Sequence, residues 1–241
     1  MSIFNIDYTD YVKKLRSTGD NSFLQQNVAL IGDVHASYDA WLATTPLKYV
    51  DPSGSPHPFP CGSGCSFCCY LPVQILEPEL VFISVWLWQT KGAQFASYFA
   101  KKARAAREEL GGRRDSERSS ISIPCPFLEH GQCAIYEARP LACRAYFSCD
   151  LPSCEEHKNH PDKGVQTPIA KEPRDAVHDL ISKTMHIMSM IGAPCRVYDL
   201  IEGMDTALND PSFAKRIKDG HPGMNGPSQI YSIEYLVSQK A

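Results

Sequence analysis

Residues 61–69 read CGSGCSFCC, so that four cysteines fall within nine positions of the chain. The four are Cys61, Cys65, Cys68 and Cys69. Gly62 and Gly64 give the backbone between them the freedom to fold the sulfurs inward. Short spacings of this kind are typical of zinc sites and iron–sulfur clusters, whose set of ligands is usually completed by a distant segment. The stretch therefore predicts half of a metal site, held by an irregular loop.

A second cysteine block supplies the missing half. It contains Cys125, Cys133, Cys143, Cys149 and Cys154, all within thirty residues, and only Cys195 lies apart from the two blocks. Buried free cysteines are common as small hydrophobic residues, but such cysteines do not normally cluster. The two blocks together indicate metal binding.

The composition describes a globular chain with no global charge bias. Its 241 residues can bury a substantial core without crosslinks, and the formal net charge of −3 gives no preference for nucleic acid or acidic membranes. The N-terminus has no secretory signal pattern, and the most apolar run, LVFISVWLW at 80–88, is too short to cross a bilayer. We therefore expect a cytoplasmic protein without nucleic-acid or membrane partners, in which the cysteines are reduced thiols rather than disulfides.

Hydrophobic periodicity predicts a mostly α fold, a helical frame around an irregular cysteine-rich metal-binding core with at most a small β-hairpin. We expect a single domain over 1–241, divided into an N-terminal helical arm (1–50), a cysteine-cluster core with two inserted helices (51–160) and a helical C-terminal part (161–241).

The expected helices have recognisable boundaries. The first stretch runs from Asn5 to Leu42 and breaks near Gly19; the next begins at Glu77 with Pro78 in its first turn and breaks at Gly92. Further helices are predicted over 93–112, from Pro173 onward, and over Arg196–Leu208, Pro211–Lys218 and Ile230–Gln239. The helix over 93–112 carries basic residues, but acidic residues lie between them, which favours a solvated face over a nucleic-acid surface.

The segment VALIGDVHAS at 28–37 imitates the GDxH opening of metallophosphoesterases, in which Asp33 and His35 would hold a metal. The later motifs that would complete such a site are missing. Leu24, Val28, Ile31, His35, Tyr38 and Trp41 also recur at helical spacing. We therefore predict a surface Asp33 and a half-buried His35 on an amphipathic helix.

The adjacent pair Cys68–Cys69 restricts the geometry of the metal site. Because successive side chains diverge, both sulfurs can bind one ion only through a tight turn, so more than one metal or a multinuclear cluster is plausible. Arg139 and Arg144 lie close to Cys143 in sequence. We expect one of two roles for them. They either bind at the cofactor, where they offset the thiolate charge and donate hydrogen bonds to sulfur, or they form ion pairs at the surface.

Two other motif matches are weaker. Cys61, Cys65 and Cys68 satisfy C-x3-C-x2-C, the pattern of radical S-adenosylmethionine enzymes, but no (β/α) barrel pattern follows. Cys65 and Cys68 also form a CxxC, yet the βαβ context of a thioredoxin is absent.

Together the two blocks resemble the YkgJ family of cysteine-cluster proteins, the CxxxCxxCC type described as zinc- or iron-chelating. After CGSGCSFCC, the matching motifs lie in CPFLEHGQCAIYEARPLACRAYFSCDLPSC at 125–154. The resemblance implies eight ligands: Cys61, Cys65, Cys68, Cys69, Cys125, Cys133, Cys143 and Cys154. Cys149 and Cys195 fall outside the pattern and inherit no ligand role.

Three functions remain open at this point. The first is a redox or protein-modifying metal protein that holds an iron–sulfur cluster. The second is a structural zinc module for protein interaction, and the third is an S-adenosylmethionine-dependent enzyme that modifies proteins, since flagellin lysine methylases look similar around the cysteines. All three imply a protein substrate or partner, and no catalytic residue can be named.

Overall fold

The structure is a computed structural model, and it describes residues 4, 6–16, 20–51, 53–62, 64–113, 115–193 and 195–219. Most of these residues are helical. The helices are α1 Tyr8–Arg16, α2 Asp20–Thr44, α3 Glu77–Trp86, α4 Ala93–Leu110, α5 Asp115–Arg118, α6 Leu141–Arg144, α7 Leu151–Asn159, α8 Lys171–Met190, α9 Leu200–Asn209 and α10 Phe213–Lys218. The predicted mostly α class is confirmed.

The strands are short and pair antiparallel in three separate two-stranded sheets. Two sheets are local hairpins, formed by β1 Tyr49–Val50 with β2 Pro56–His57 and by β4 Leu128–Glu129 with β5 Gln132–Cys133. The third joins β3 Gln74–Leu76 to the distant β6 Val197–Asp199, with Ile75 opposite Tyr198. This pairing ties the C-terminal helices to the cysteine-rich half of the chain.

The apolar stripe of α2 forms much of the core, and Ile31 and Tyr38 on it are fully buried. Asp33 is exposed, as expected, and accepts a 2.5 Å hydrogen bond from the Tyr11 hydroxyl. The prediction of a half-buried His35 is wrong: only 3% of this residue is exposed, because α3 packs over it. The Phe82 ring meets the His35 ring edge to face, with centroids 5.0 Å apart.

The helix boundaries around α3 and α4 follow the predicted signals. Pro78 lies in the first turn of α3, and the apolar segment continues as a π-helix over Leu87–Lys91. Gly92 then takes a positive φ of 85°, and Gly111 ends α4 with a left-handed φ of 63°. Both angles strain residues that carry a Cβ, which explains why glycine marks each break.

Other boundaries differ from the prediction. Helix α8 begins two residues before Pro173, and α7 lies in a segment for which no helix was predicted. The predicted helix over Arg196–Leu208 is wrong at its start, because Val197–Asp199 pair with β3 and the helix begins at Leu200. Asp199 caps that helix by accepting a 2.8 Å hydrogen bond from the Ile201 amide.

The buried core extends over the whole described part of the chain. One continuous cluster includes residues of α1, α2, α3, α4, α8, α9 and α10, and Cys125 and Cys133 pack against it. The single-domain division stays a prediction, and the expected break at Gly19 and helix over Ile230–Gln239 lie outside the described residues. None of the described helices is both long and apolar enough for a bilayer crossing.

Candidate metal centre

The first cysteine block consists of two tight turns. The Cys65 amide donates to the Gly62 carbonyl at 3.1 Å, and Gly64 takes a positive φ of 85°. A single 3₁₀ turn over Phe67–Tyr70 follows, and the Cys69 amide donates to the Ser66 carbonyl at 3.0 Å. These two turns shape the backbone of the first cysteine block.

The 3₁₀ turn brings the adjacent cysteines together. Interaction with the Cys69 thiol, followed by burial, raises the pKa of Cys68 far above its ordinary value. Consecutive side chains point about 180° apart in a strand but about 120° apart in a 3₁₀ turn, so the turn brings the two sulfurs nearer to one side. The structure thus forms the tight turn that two adjacent sulfurs require in order to serve one centre.

A main-chain hydrogen bond joins the two blocks. The Cys125 amide donates to the Cys69 carbonyl at 2.7 Å. The β4–β5 hairpin follows and turns at His130 and Gly131, both of which have a positive φ, as a two-residue hairpin of the I′ type requires. The hairpin places Cys133 opposite Leu128, and the charge of Cys133 is among the causes that raise the pKa of Cys125.

Backbone amides point at the sulfurs of this hairpin. Burial raises the pKa of Cys125 to about 12, although the Phe127 amide, hydrogen-bonded to its sulfur, favours the thiolate. Burial also raises the pKa of Cys133, and the Ile135 amide opposes that effect in the same way. Such N–H···S hydrogen bonds are among the interactions that tune metal–thiolate centres.

The SCD segment at 148–150 connects the last ligand candidate to the first. The Ser148 amide donates to Cys61 Sγ at 3.3 Å, and the Ser148 side chain is among the causes that oppose the raised pKa of Cys154. Asp150 caps α7 by accepting from the Ser153 amide at 3.2 Å, which fixes Cys154 in the first turns of that helix. Ser148 was known from the sequence only as a motif position; its contacts with two cysteines come from the structure.

The effect of each thiol on the pKa values of the others indicates which cysteines are neighbours. The charges of Cys65, Cys154 and Cys68 add to the burial that raises the pKa of Cys61. Those of Cys125, Cys68 and Cys133 act in the same way on Cys143. Two groups of three thiols therefore flank the Cys68–Cys69 pair: Cys61, Cys65 and Cys154 form the first group, and Cys125, Cys133 and Cys143 form the second.

The two remaining cysteines have different neighbours. Burial raises the pKa of Cys149, and the carboxylate that adds to this effect is Glu172. Burial also raises the pKa of Cys195, with Glu77 and Glu79 adding to it. The pKa effects therefore relate the eight cysteines of the motif to one another, whereas Cys149 and Cys195 have other neighbours.

The chemistry of the donors fits a soft metal, whereas their spacing is loose. All ten cysteines are free thiols, and eight of them are only partly buried. Within the ranges described above, no three histidine, cysteine, aspartate or glutamate side chains are close enough to hold one ion. A Cβ built at Gly62 or Gly64 meets no atom within 4 Å, so there is open space beside the loop at both positions.

The two predicted arginines differ in position. Arg139 stacks on the Tyr136 ring at 3.7 Å, and its charge lowers the otherwise raised pKa values of Cys68 and Cys133, as a charge-compensating residue would. Arg144 does not match its predicted role as a donor to sulfur. Its buried guanidinium pairs with Asp39, donates to the Glu137 carbonyl and contacts His35 Nδ1 at 3.4 Å.

A buried acidic pair behind the centre escaped the sequence analysis. Glu79 Oε1 accepts from the Leu141 amide at 2.7 Å and contacts His35 Nε2 at 3.2 Å. Glu77 accepts from the Tyr198 hydroxyl at 2.5 Å and from the Arg196 amide at 3.0 Å. The sequence does contain a signal for this pair, since two glutamates stand at the start of an apolar run. Charged side chains buried in an apolar segment need hydrogen-bond or ion-pair partners.

Eight clustered thiols with amide donors define a class of protein, the metal-binding cysteine-cluster proteins. A family model named CxxCxxCC, with the description "Putative zinc- or iron-chelating domain", matches residues 60–174. The matched segment contains both cysteine blocks, which confirms the predicted resemblance. Comparison with curated proteins gives no match, and comparison with solved structures gives none either.

Proposed function

We propose that the eight clustered cysteines hold iron as an iron–sulfur cluster and that the protein has a redox or protein-modifying role. The contact between the Cys68 and Cys69 thiols, with three further thiols on each side, carries this proposal. A tetrahedral ion takes four thiolates, so eight thiols around a shared pair suit a centre with more than one metal. An iron–sulfur cluster, when bound, supplies electron transfer or an iron with an open position.

The loose spacing of the thiols supports a cluster over a mononuclear site. Thiolates on a single zinc ion lie about 2.3 Å from the same metal and therefore close to one another. Thiolates of a cluster bind different irons and can be farther apart. The described residues contain no three-ligand group tight enough for one ion, which is the arrangement expected if sulfide and several irons occupy the space between the blocks.

The chain itself contributes hydrogen bonds and charge. The amides of Phe127, Ile135 and Ser148 donate to the sulfurs of Cys125, Cys133 and Cys61. The Arg139 guanidinium favours the thiolates of Cys68 and Cys133. Both effects stabilise negative charge on sulfur and orient the ligands.

Exposed apolar side chains beside the centre support a protein substrate or partner. Tyr136 is 58% exposed and Leu151 is 38% exposed, and they lie in the segments that carry Cys133 and Cys154. Aromatic residues next to arginine are enriched in protein interfaces, and Tyr136 stacks on Arg139. Free thiols are typical of the reducing cytoplasm, which is the compartment that we propose.

Metal and sulfide analysis of anaerobically purified protein tests the cluster. We expect brown protein that contains iron and acid-labile sulfide, in wild type and in Cys149→Ser alike, because Cys149 lies apart from the two groups. Cys133→Ser should lower both contents. Colourless protein with stoichiometric zinc and no sulfide would overturn the iron–sulfur assignment.

A structural zinc module is the second candidate, since N–H···S hydrogen bonds also suit zinc thiolates. In that case two closed four-thiolate shells would fold the loops and present the exposed surface to a partner. Chelation would then unfold the cysteine blocks. A cysteine region that keeps its hydrogen-exchange protection after zinc removal would exclude this candidate.

A further inference from the structure

A cavity of about 200 Å³ lies beside the metal centre. Strands β3 and β6 provide Ile75 and Val197 to its wall, and α8 provides Val177 and Ile181. Pockets for drug-sized ligands measure about 300–1,000 Å³. The size and the branched aliphatic lining therefore suit a small molecule with an aliphatic body.

Two polar side chains on one face of α8 also line this cavity. Arg174 and His178 are one helical turn apart, so they point in the same direction. Arg174 Nε is buried and has no hydrogen-bond partner among the described residues. The nearest ion-pair oxygen, Asp175 Oδ1, is 3.6 Å away, which is beyond hydrogen-bond distance. A buried donor without an acceptor is unfavourable, and an anionic ligand would satisfy it.

The lining also contains one acidic residue, Glu79, whose carboxylate would repel an anion less than an unpaired carboxylate would. Glu79 reaches the cavity, but its carboxylate accepts from the amides of Leu76 and Leu141 and contacts His35 Nε2. These contacts hold the Glu79 charge in place. Gln74 and Tyr146 add neutral hydrogen-bonding groups. Arg174 Nε, although its charge is paired with Asp175, is the cationic donor of the lining that lacks a hydrogen-bond partner among the described residues.

The cavity shares a wall with the metal centre. Ala142 and Ala145 line it and lie on either side of Cys143 and Arg144 in the chain. Tyr146 also lines it, and burial, with the nearby charges of Cys154, Cys68 and Cys61 among the further causes, raises the pKa of Tyr146 to about 12. An occupant of this cavity would therefore lie one side chain away from the cysteines.

We propose that this cavity binds a small aliphatic carboxylate, with its anionic end at Arg174 and His178 and its hydrocarbon body against Ile75, Val177 and Ile181. The site lies on α8 and the β3–β6 sheet, so its existence does not depend on which metal the cysteines hold. Its position makes the carboxylate a substrate or effector of the neighbouring centre.

Equilibrium dialysis of the full-length, metal-loaded protein tests the site. The probes are radiolabelled straight-chain carboxylates of about four to ten carbon atoms, a range chosen to bracket the cavity. We expect saturable binding of at least one of them. The uncharged amide of the same chain length should compete about tenfold less well, because a charge-assisted hydrogen bond is replaced by a neutral one.

Two variants locate the binding. Arg174→Gln should weaken carboxylate binding about tenfold and leave amide binding unchanged, since only the charged contact is lost. Ile181→Trp, at the partly exposed rim, should fill the cavity and abolish binding of both compounds. Lys171→Gln, on the same helix but outside the lining, is the matched control and should bind like wild type.

Three outcomes would overturn the proposal. These are no saturable binding of any carboxylate to wild type, equal affinity for carboxylate and amide, and unchanged binding in Ile181→Trp. Circular dichroism of each variant checks that it has folded. If Arg174→Gln does not fold, the comparison of acid with amide and the Ile181→Trp variant decide the question.

Discussion

The cysteine centre and the helical frame of this protein are built by different means. In the frame, Leu30, Ile31 and Tyr38 of α2 pack against α3 and are fully buried, and apolar burial provides the stability. In the centre, short turns and single main-chain hydrogen bonds hold partly buried thiols. The frame is therefore stabilised mainly by apolar burial, whereas the cysteine loops are held mainly by hydrogen bonds of the backbone.

One residue belongs to both regions. The backbone of Arg144 follows Cys143 in the short helix α6, but its side chain enters the frame. There it pairs with Asp39 of α2 and donates to the carbonyls of Glu137 and Arg139. The guanidinium therefore fixes the second cysteine block against α2, which gives a loosely built centre a rigid support.

The largest expected effect is the loss of a central thiol. Cys68 lies between both groups of thiols, so Cys68→Ser should weaken metal retention against a chelator by more than about 100-fold, since loss of an outer-shell partner alone costs about 10–100-fold. Metal content after dialysis against increasing chelator measures the effect. Cys149→Ser is the control and should retain metal like wild type; equal losses in the two variants would refute the grouping described above.

Loss of the Arg144 side chain, which supports the second cysteine block, should have the next largest effect, on the stability of the protein. Arg144→Met leaves two backbone carbonyls and His35 Nδ1 without their donor, so we expect the free energy of unfolding to fall by about 3 kcal/mol. Denaturant unfolding gives the value. Arg139→Met loses a stack on an exposed tyrosine and a 2.8 Å hydrogen bond to the carbonyl of the solvent-accessible Tyr136 residue, so it should cost only about 1 kcal/mol. Equal costs would show that Arg144 does not link the two regions.

Two glycines of the first cysteine block provide a matched pair. Gly64 has a positive φ of 85° and Gly62 is not among the glycines with a positive φ, yet an added Cβ meets no atom at either position. Gly64→Ala should therefore destabilise the protein by about 1–2 kcal/mol through backbone strain alone. Gly62→Ala should be close to neutral in the same denaturation experiment. The reverse order would contradict the turn geometry of this loop.

The smallest effect is a pH dependence located in the frame. The Arg144 guanidinium donates to Nδ1 of His35, so Nε2 carries the proton that reaches Glu79, and the ring is neutral. Burial lowers the pKa of His35 from its ordinary value of 6.5. Below pH 6.5 the unfolded chain therefore binds a proton that the folded protein does not, and stability should fall as the pH falls, by at most about 1.4 kcal/mol per pH unit.

Urea unfolding at two pH values, one above and one below 6.5, measures this dependence. His35→Gln can still donate to Glu79 but cannot titrate, so its stability should change less between the two conditions. An identical change in the variant and in wild type would mean that His35 takes up its proton in the folded state.

Local signals in the sequence predicted much of the frame. Pro78, Gly92 and Gly111 marked the limits of α3 and α4, since proline and glycine act on the backbone at their own positions. The strand Val197–Asp199 was assigned to a helix because its partner, Gln74–Leu76, lies far away in sequence. Three residues are also too few to show an alternating pattern.

Some features of the candidate site could likewise be predicted from the sequence, and others could not. Metal binding by clustered thiols followed from residue type and spacing, whereas the choice of eight ligands, without Cys149 and Cys195, came from the family resemblance. The direction of a long side chain could not be predicted in this way. Arg139 and Arg144 are both near Cys143 in sequence, yet Arg139 lies near the cysteines and Arg144 is buried against α2. Flexible side chains select partners across the fold, and these partners have no fixed separation in sequence.

By itself, the sequence determined that this is a mostly helical protein with a metal-binding cysteine cluster, because backbone propensity and thiol spacing are local properties. Only the tertiary structure decided that the cysteines form two groups around an adjacent pair, that Glu79, His35 and Arg144 form a buried network behind them, and that a cavity opens beside Cys143 between α8 and the β3–β6 sheet. Each of these features joins segments distant in the chain, and the packing of the helices sets their positions.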